Sequence, residues 1–361
     1  MHSADDTLTS TDAVTLDTLG RQTGDGAARA RALQALQQEE PAVTSVIEYR
    51  SAGRLVIIGP AAQAVPLAEQ LLDKVAAVAL VDPTPGATRP KLDDRITFIA
   101  AGVEQVAGHL GEFQIWLQDR GTPHIALQSL LPRSWTQIDM LLDLSAVPCF
   151  DAQVSPPGYF AARGDEQKLA EFVSTIPDLI GEFEKPRYFR YNPDICAHGR
   201  NRKTACTRCI DACPTLAIRS IGEQVQVDPY LCQGGGSCAA LCPSGAMQYI
   251  YPGLANSLSR IRRLLKEYRQ AQGQAARIVF FEAAHSDNVY AQLAALDENL
   301  IPLAVDELGA VDLAMMLNTL VYGAQQLIIL TSQDTPGRIH KTLTEQQALA
   351  HAFLQGLGYS T

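Results

Sequence analysis

Leu231–Pro243 reads LCQGGGSCAALCP. It has the outline of an iron–sulfur binding run, C-x2-C-x2-C-x3-C-P, with Gly235 where the second cysteine belongs. At an offset of 29 residues it matches the stretch CTRCIDACPTLAI that begins at Cys206. Cys209, Cys213 and Pro214 fall on Cys238, Cys242 and Pro243, whereas Cys206 falls on Gly235 and Lys203 on Cys232. The chain thus carries an internal repeat of one cysteine–proline signature, and the repeat predicts a compact α+β module over 191–252.

The spacing has a physical reason. C-x2-C-x2-C wraps a short loop so that successive thiolates meet one cluster, and the cysteine before the proline ligates the other. Proline after that cysteine suits a first helical turn, so a helix is expected to open there. Small residues nearby (Ala205, Ala212, Gly234, Gly236, Ala239, Ala240) let backbone approach an inorganic core. The crossover gives cluster A Cys206, Cys209 and Cys242. Lys203 cannot ligate while protonated, and Cys196, at the head of CAHGRNRKTAC, is close enough upstream to complete a [4Fe–4S] site. Cluster B receives Cys213, Cys232 and Cys238 and no fourth thiolate. That leaves either [3Fe–4S], or [4Fe–4S] with one iron on water or a non-cysteine side chain; Cys149 is a distant spare. A zinc module is the competing reading. Zinc favours two close C-x2-C pairs, and only Cys206/Cys209 form one. His198, beside Cys196, is either structural or a partner of cluster A.

Composition narrows the classes. The chain has 361 residues, 47% of them apolar, and a formal charge of -10, which argues against nucleic-acid or anionic-membrane binding. No apolar run suits a membrane span, and MHSADDTLTSTDAVTLDTLG lacks the features of a secretory signal. A cytoplasmic protein is expected, in which clustered thiols read as metal or redox groups. Between 185 and 208 lie Lys185, Arg187, Arg190, Arg200, Arg202, Lys203 and Arg208, against Asp194 alone. This local reversal of charge would steer an acidic partner or offset the cluster and its thiolates.

Around the module the pattern is α/β. Residues 1–45 read as a flexible tail with one helix through ARARALQALQQEE. RLVIIG (54–59), AAVALVD (76–82), RITFIAAG (95–102), FQIWLQ (113–118), HIALQSLL (124–131) and DMLLDLS (139–145) read as strands, with a helix over 64–75. A parallel, Rossmann-like sheet over 46–150 is expected. Only Gly59 of the dinucleotide fingerprint is present, with Pro60 after it and Asp82 further on, so a scaffold without nucleotide is expected. Residues 151–190 read as a Pro/Gly-rich connector and a helix that Pro177 bends or splits. Residues 253–361 read as a small C-terminal α/β domain: helices at 256–272, 287–297, 312–324 and 343–358, strands at 276–282, 299–307 and 325–332. Because that unit stops on a helix, further protein is expected to follow in the native product.

CTRCIDACPTLAI and DPYLCQGGGSCAALCPSGAM resemble bacterial dicluster ferredoxins. The wider stretch GEFEKPRYFRYNPDICAHGRNRKTACTRC resembles cytoplasmic 4Fe–4S binding proteins encoded near formate dehydrogenase genes, most strongly over 139–252. The resemblance implies single-electron transfer between protein redox partners, formate-dehydrogenase related, or an accessory, maturation or scaffold role for such an enzyme. Relatives tend to carry cysteine where Gly235 stands. The C-terminal unit has the rhythm of small α/β iron–sulfur subunits of hydrogenase–heterodisulfide reductase complexes, but it has no cysteine. An NAD(P)-linked oxidoreductase subunit is a third reading. No nucleophile–base motif is present, so an electron carrier is expected and no catalytic residue is assigned.

Overall fold

A computed structural model describes residues 24–36, 45–119, 122–200, 203–293 and 297–359. Helix α1 (Asp25–Leu36) opens it, followed by β1 (Val46–Ser51), β2 (Arg54–Ile58), α2 (Ala61–Leu71), β3 (Ala77–Asp82) and β4 (Thr97–Ala100). Next come β5 (Gly102–Ala107), β6 (Gln114–Asp119), β7 (Thr122–Ala126), β8 (Met140–Asp143) and β9 (Tyr159–Ala161). The expected parallel sheet is present, with five strands in the order β4-β3-β2-β8-β9. Runs such as RLVII are apolar on both sides, and both faces are covered. Leu55, Ile57 and Leu80 pack against Ala64, Ala68 and Leu71 of α2, while Val56, Ile58 and Val81 pack the other way.

What covers that second face corrects the sequence reading. FQIWLQ and HIALQSLL do not extend the parallel series. They supply β6 and β7 of a separate antiparallel sheet, order β5-β6-β7. The signal was the alternation in QIWLQ: Ile115 and Leu117 are buried in one core with Val56 and Ile58, while Gln114 and Gln118 are exposed and Trp116 half-buried. One wet face and one dry face is the mark of an antiparallel layer.

The β2–α2 turn is Rossmann-like only in outline. Gly59 has φ +154°, and an added Cβ would stand 2.8 Å from Leu144 Cβ. The Ala61 N–H at the start of α2 donates to Asp82 Oδ2 (2.9 Å), and the Thr84 N–H donates to Oδ1 (2.9 Å). The helix terminus that holds pyrophosphate in nucleotide folds therefore has one of its donors committed to a carboxylate of this chain.

The connector is more structured than expected, because β9 lies inside it. Asp165 caps α3 (Glu166–Thr175) by accepting from the Gln167 and Lys168 amides. The helix then splits at Pro177 into a 3₁₀ turn, and GEFEK becomes β10 (Gly181–Pro186), antiparallel to β1.

Residues 189–249 form two strand–loop–helix–strand units. The first comprises β11 (Phe189–Tyr191), the small hairpin β12 (Gly199–Arg200) and β13 (Lys203–Thr204), α4 (Arg208–Ala212) and β14 (Ile218–Ile221). The second comprises β15 (Gln224–Val227), α5 (Ser237–Ala240) and β16 (Met247–Tyr249). The units interlock, since β11 pairs with β16 and β14 with β15, both antiparallel.

The C-terminal unit contains α6 (Leu254–Gln270), β17 (Arg277–Glu282), α7 (Ser286–Leu293), β18 (Leu300–Val305), α8 (Leu313–Val321), β19 (Gln326–Ile329) and α9 (Gly337–Gly356). Its parallel sheet runs β18-β17-β19. Helix α1, expected within a flexible tail, belongs to this unit. Ala28, Ala32 and Leu33 share a core with Ile261, Leu264, Leu265 and Tyr268, and buried Arg29 donates to Leu300 O (3.2 Å). Residues 1–23 and 37–44 of the expected tail lie outside the described residues. Among the described residues no helix is long and apolar enough to cross a membrane.

Candidate iron–sulfur site

The two cysteine loops differ in length for a visible reason. The first joins β11 to α4 through residues 192–207, the second joins β15 to α5 through 228–236, and the surplus is the β12–β13 hairpin. That hairpin turns the chain back so that Cys196 returns to the run it precedes. His198 fixes its base: its carbonyl accepts from Ala205 N (2.8 Å), Nδ1 bonds Cys206 O (2.7 Å) and Nε2 bonds Ser220 Oγ (2.7 Å). With both ring nitrogens engaged and 1% exposure, His198 is a structural histidine. Tyr191, from β11, lies beside Cys196.

The Cys–Pro doublets close helices and do not open them. Cys213 ends α4 in an extended conformation, which the following Pro214 favours, and Cys242 lies just past α5.

The thiols fall into two sets. Burial pushes Cys209 up to about 11, and the nearby Cys206, Cys242 and Cys196 reinforce it. Burial drives Cys238 well above the ordinary thiol range, with Cys232 and Cys213 its strongest thiol neighbours and Cys209 weaker. Burial likewise pushes Cys232 up to about 11, with Cys213 adding. Cys242 from the second run therefore stands with Cys196, Cys206 and Cys209. Cys213 from the first stands with Cys232 and Cys238. Backbone N–H groups face the sulfurs: Met247 N lies 3.3 Å from Cys242 Sγ, and the amides of Ile210, Gly234 and Ala239 donate to Cys209, Cys232 and Cys238.

Among the described residues, no three His, Cys, Asp or Glu side chains converge as they would on a single metal ion. A lone zinc draws four sulfurs into mutual contact. The thiolates of an iron–sulfur cubane bind separate irons, and so stand a cluster's width apart. Cys149 joins neither set. It packs in the core beside the antiparallel sheet, its N–H bonded to Asp143 Oδ2 (2.7 Å), and burial with Asp143 pushes its thiol up to about 12. The Lys203 side chain is outside what is described.

The Cys213/Cys232/Cys238 set lines a small cavity with Pro214, Gly234, Gly235 and Tyr249. The flanking units grip this side. The Lys185 ammonium donates to Tyr230 O and Cys232 O (both 2.7 Å), and Tyr49 Oη donates to Tyr230 O (2.6 Å). Gln233 Nε2 reaches Ser155 O (2.6 Å), and the Arg338 guanidinium of α9 donates to Cys213 O.

These contacts show that the cations of 185–208, expected either to steer an acidic partner or to offset the cluster and its thiolates, do not act as one group. Lys185 is buried, and burial pulls its ammonium down to about 8. Arg208 pairs with Glu345 (3.1 Å), and Arg190 bonds Gln248 Oε1 (2.7 Å). Arg202 and the side chains of Arg200 and Lys203 are outside what is described.

Where the module meets the C-terminal unit, Glu307 follows β18 into a cleft. Burial first, then Glu282 and Asp306, push its carboxyl from 4.5 up to about 8. Tyr188 and Tyr249 face it from the module, and Arg260 from α6 faces Asp306. The folded chain then holds a proton that the unfolded chain releases between these two values, so this group makes stability fall as pH rises from about 4.5 to about 8. Glu307→Gln is expected to flatten that slope and to stabilise the protein by about 2 kcal/mol above pH 8, a figure discounted for water in the cleft. Urea titrations across that pH range measure it.

No known protein family matches the chain, and no curated protein matches it.

Proposed function

We propose that the chain is an iron–sulfur electron-transfer protein holding two clusters, A on Cys196, Cys206, Cys209 and Cys242 and B on Cys213, Cys232 and Cys238. The observation that carries this reading is the exchange of partners between the runs: Cys242 joins the first set and Cys213 the second. A zinc knuckle gives no reason for that exchange, whereas crossed ligation is the rule for paired clusters. The donor set fits the group. Seven soft sulfurs, backbone amides aimed at them and small residues beside them are what sulfide-bridged iron with terminal thiolates requires.

Bound there, clusters supply one-electron storage and transfer. The residues of this chain hold the irons, aim N–H dipoles at sulfur and set water access. The two sets differ in that access. Residues 192–195, Ala205, Thr207 and Arg208 around set A are exposed, while residues 212–215, Gly234, Gly236 and Ser237 around set B are buried. Cluster A is therefore the port where a protein redox partner docks, and B is the interior site. No Asp, Glu or His lines the cavity of set B, but Ser237, whose hydroxyl is buried without a partner, does, so the two forms open to B are [3Fe–4S] and four irons with the fourth on that oxygen or on water.

A second reading is an accessory protein for a formate-dehydrogenase-type enzyme. It gains from the internal use of Lys185 and the pairing of Arg208, which leave fewer cations to steer a partner.

Low-temperature EPR of anaerobically purified protein, with an iron and sulfide count, tests the proposal. About seven irons and a three-iron signal when oxidised are expected. About eight irons without that signal make B a four-iron centre, and a colourless, iron-free protein overturns the reading.

A further inference from the structure

A cleft of about 790 Å³ separates the cysteine module from the C-terminal unit, a volume that suits a small organic molecule. Its floor is the carboxyl end of β18 and the neighbouring Phe280 of β17. Strand β17 is central, with β18 on one side and β19 on the other, so the chain reverses its winding direction there. Crevices outside the carboxyl ends of strands at such a reversal are where open α/β sheets bind ligands. The opposite wall comes from the module and includes Cys242, Met247 and Tyr249.

The lining states what the ligand must offer. Leu254, Leu258, Phe280, Leu303, Val311 and Met315 make the walls apolar. The amides that open α8 are already taken, Met315 N by Asp312 Oδ1 (2.7 Å) and Leu313 N by Gln346 Oε1 (2.9 Å), so that helix end has little left for an anion. The cations on the lining are already engaged, Arg190 with Gln248 Oε1 (2.7 Å) and Arg260 with Asp306. The Tyr249 hydroxyl is shut off from solvent and has no hydrogen-bond partner, and Tyr249 stands between the cleft and the cavity of set B. Glu307, with its raised carboxyl, keeps its proton at neutral pH. The Tyr249 hydroxyl is a donor without an acceptor, and a protonated Glu307 on the cleft lining is a second donor.

We propose that this cleft binds a ligand of the quinone class, an uncharged aromatic ring with carbonyl oxygens at its edge, seated between the apolar walls and accepting from Tyr249 and Glu307. The choice of a redox-active ring rests on reading Cys242 as a cluster ligand; the seating of the ring does not.

Equilibrium dialysis of the oxidised full-length chain tests it. The probe is a naphthoquinone methylated at both free quinone-ring carbons, which blocks thiol addition, and dimethylnaphthalene serves as the carbonyl-free control. Saturable binding at one site per chain is expected for the quinone and not for the control. Tyr249→Phe, equal in shape, is expected to weaken binding about fivefold. Leu254→Trp, at a half-open position on the cleft mouth, is expected to abolish it, with iron content and thermal unfolding unchanged. Absent or non-saturable binding, equal binding of the control, or affinity unmoved in both variants overturns the proposal. Iron is counted on the same samples. An iron-free chain that binds the quinone supports this site while sinking the cluster reading; an iron-loaded chain that does not bind does the reverse.

Discussion

Cys242→Ala is expected to strip about four irons from the protein and to leave the three-iron signal of cluster B in place. The residue sits in the second run, ahead of Pro243, with Cys232 and Cys238 just upstream. Were ligation linear along the chain, its loss would damage the cluster of that run. In space it stands with Cys209, Cys206 and Cys196, while Cys213 crosses the other way. The mirror variant, Cys213→Ala, is expected to lose the three-iron signal and keep the four-iron centre. Its wider surroundings differ, because Arg338 donates to the Cys213 carbonyl, a backbone contact that alanine preserves. Iron analysis and EPR on the two variants read the crossing directly. If Cys242→Ala erased the three-iron signal and spared the rest, each run would hold its own cluster and the proposed exchange would be wrong.

Much of this arrangement was legible in the chain, and the reasons differ by element. The 29-residue offset is stated by side-chain identity alone, because thiols and prolines at fixed spacing have few other uses. Cys196 was singled out for the same reason, although the β12–β13 hairpin that follows it carries no strong turn signal. Strands β2, β3 and β8 were readable because burial on both faces leaves unbroken apolar runs. Strands β6 and β7 were misread as more of the same, since a short apolar run does not state its partner or direction. Helix α1 was expected, but its docking against α6 was not: alanines and one leucine form a weak stripe until the partner surface exists. Lys185 reads as one more surface cation, and only the fold shows it donating to two carbonyls beside Cys232. The cleft was invisible for a similar reason, its walls coming from segments far apart in sequence.

Gly235→Cys is expected to supply the missing thiolate, raise the iron count by about one and abolish the three-iron signal of the oxidised protein. The three consecutive glycines at 234–236 are not equivalent. Gly236 has φ +74°, and an added Cβ would stand 2.4 Å from Ala310 N; Gly234 has φ +87°, and one would stand 2.9 Å from the Tyr188 ring. Both positions demand glycine on conformational and steric grounds. Gly235 demands it on neither. Its backbone is not left-handed, and the three atoms nearest an added Cβ would be Pro214 Cγ at 3.5 Å, Ile339 Cδ1 at 3.6 Å and Pro214 Cδ at 3.8 Å, ordinary contacts all. Pro214 follows Cys213, and Gly235 lines the same cavity as Cys213, Cys232 and Cys238, so the new thiol enters the existing set. Chain entropy favours the change as well, because replacing glycine at a compatible site restricts the unfolded state and stabilises by about 0.5 kcal/mol. Gly235→Ala separates packing from ligation: it adds the same Cβ without sulfur and is expected to keep the three-iron signal at full intensity. A folded Gly235→Cys protein with unchanged iron content and signal would show that the open corner of cluster B lies elsewhere.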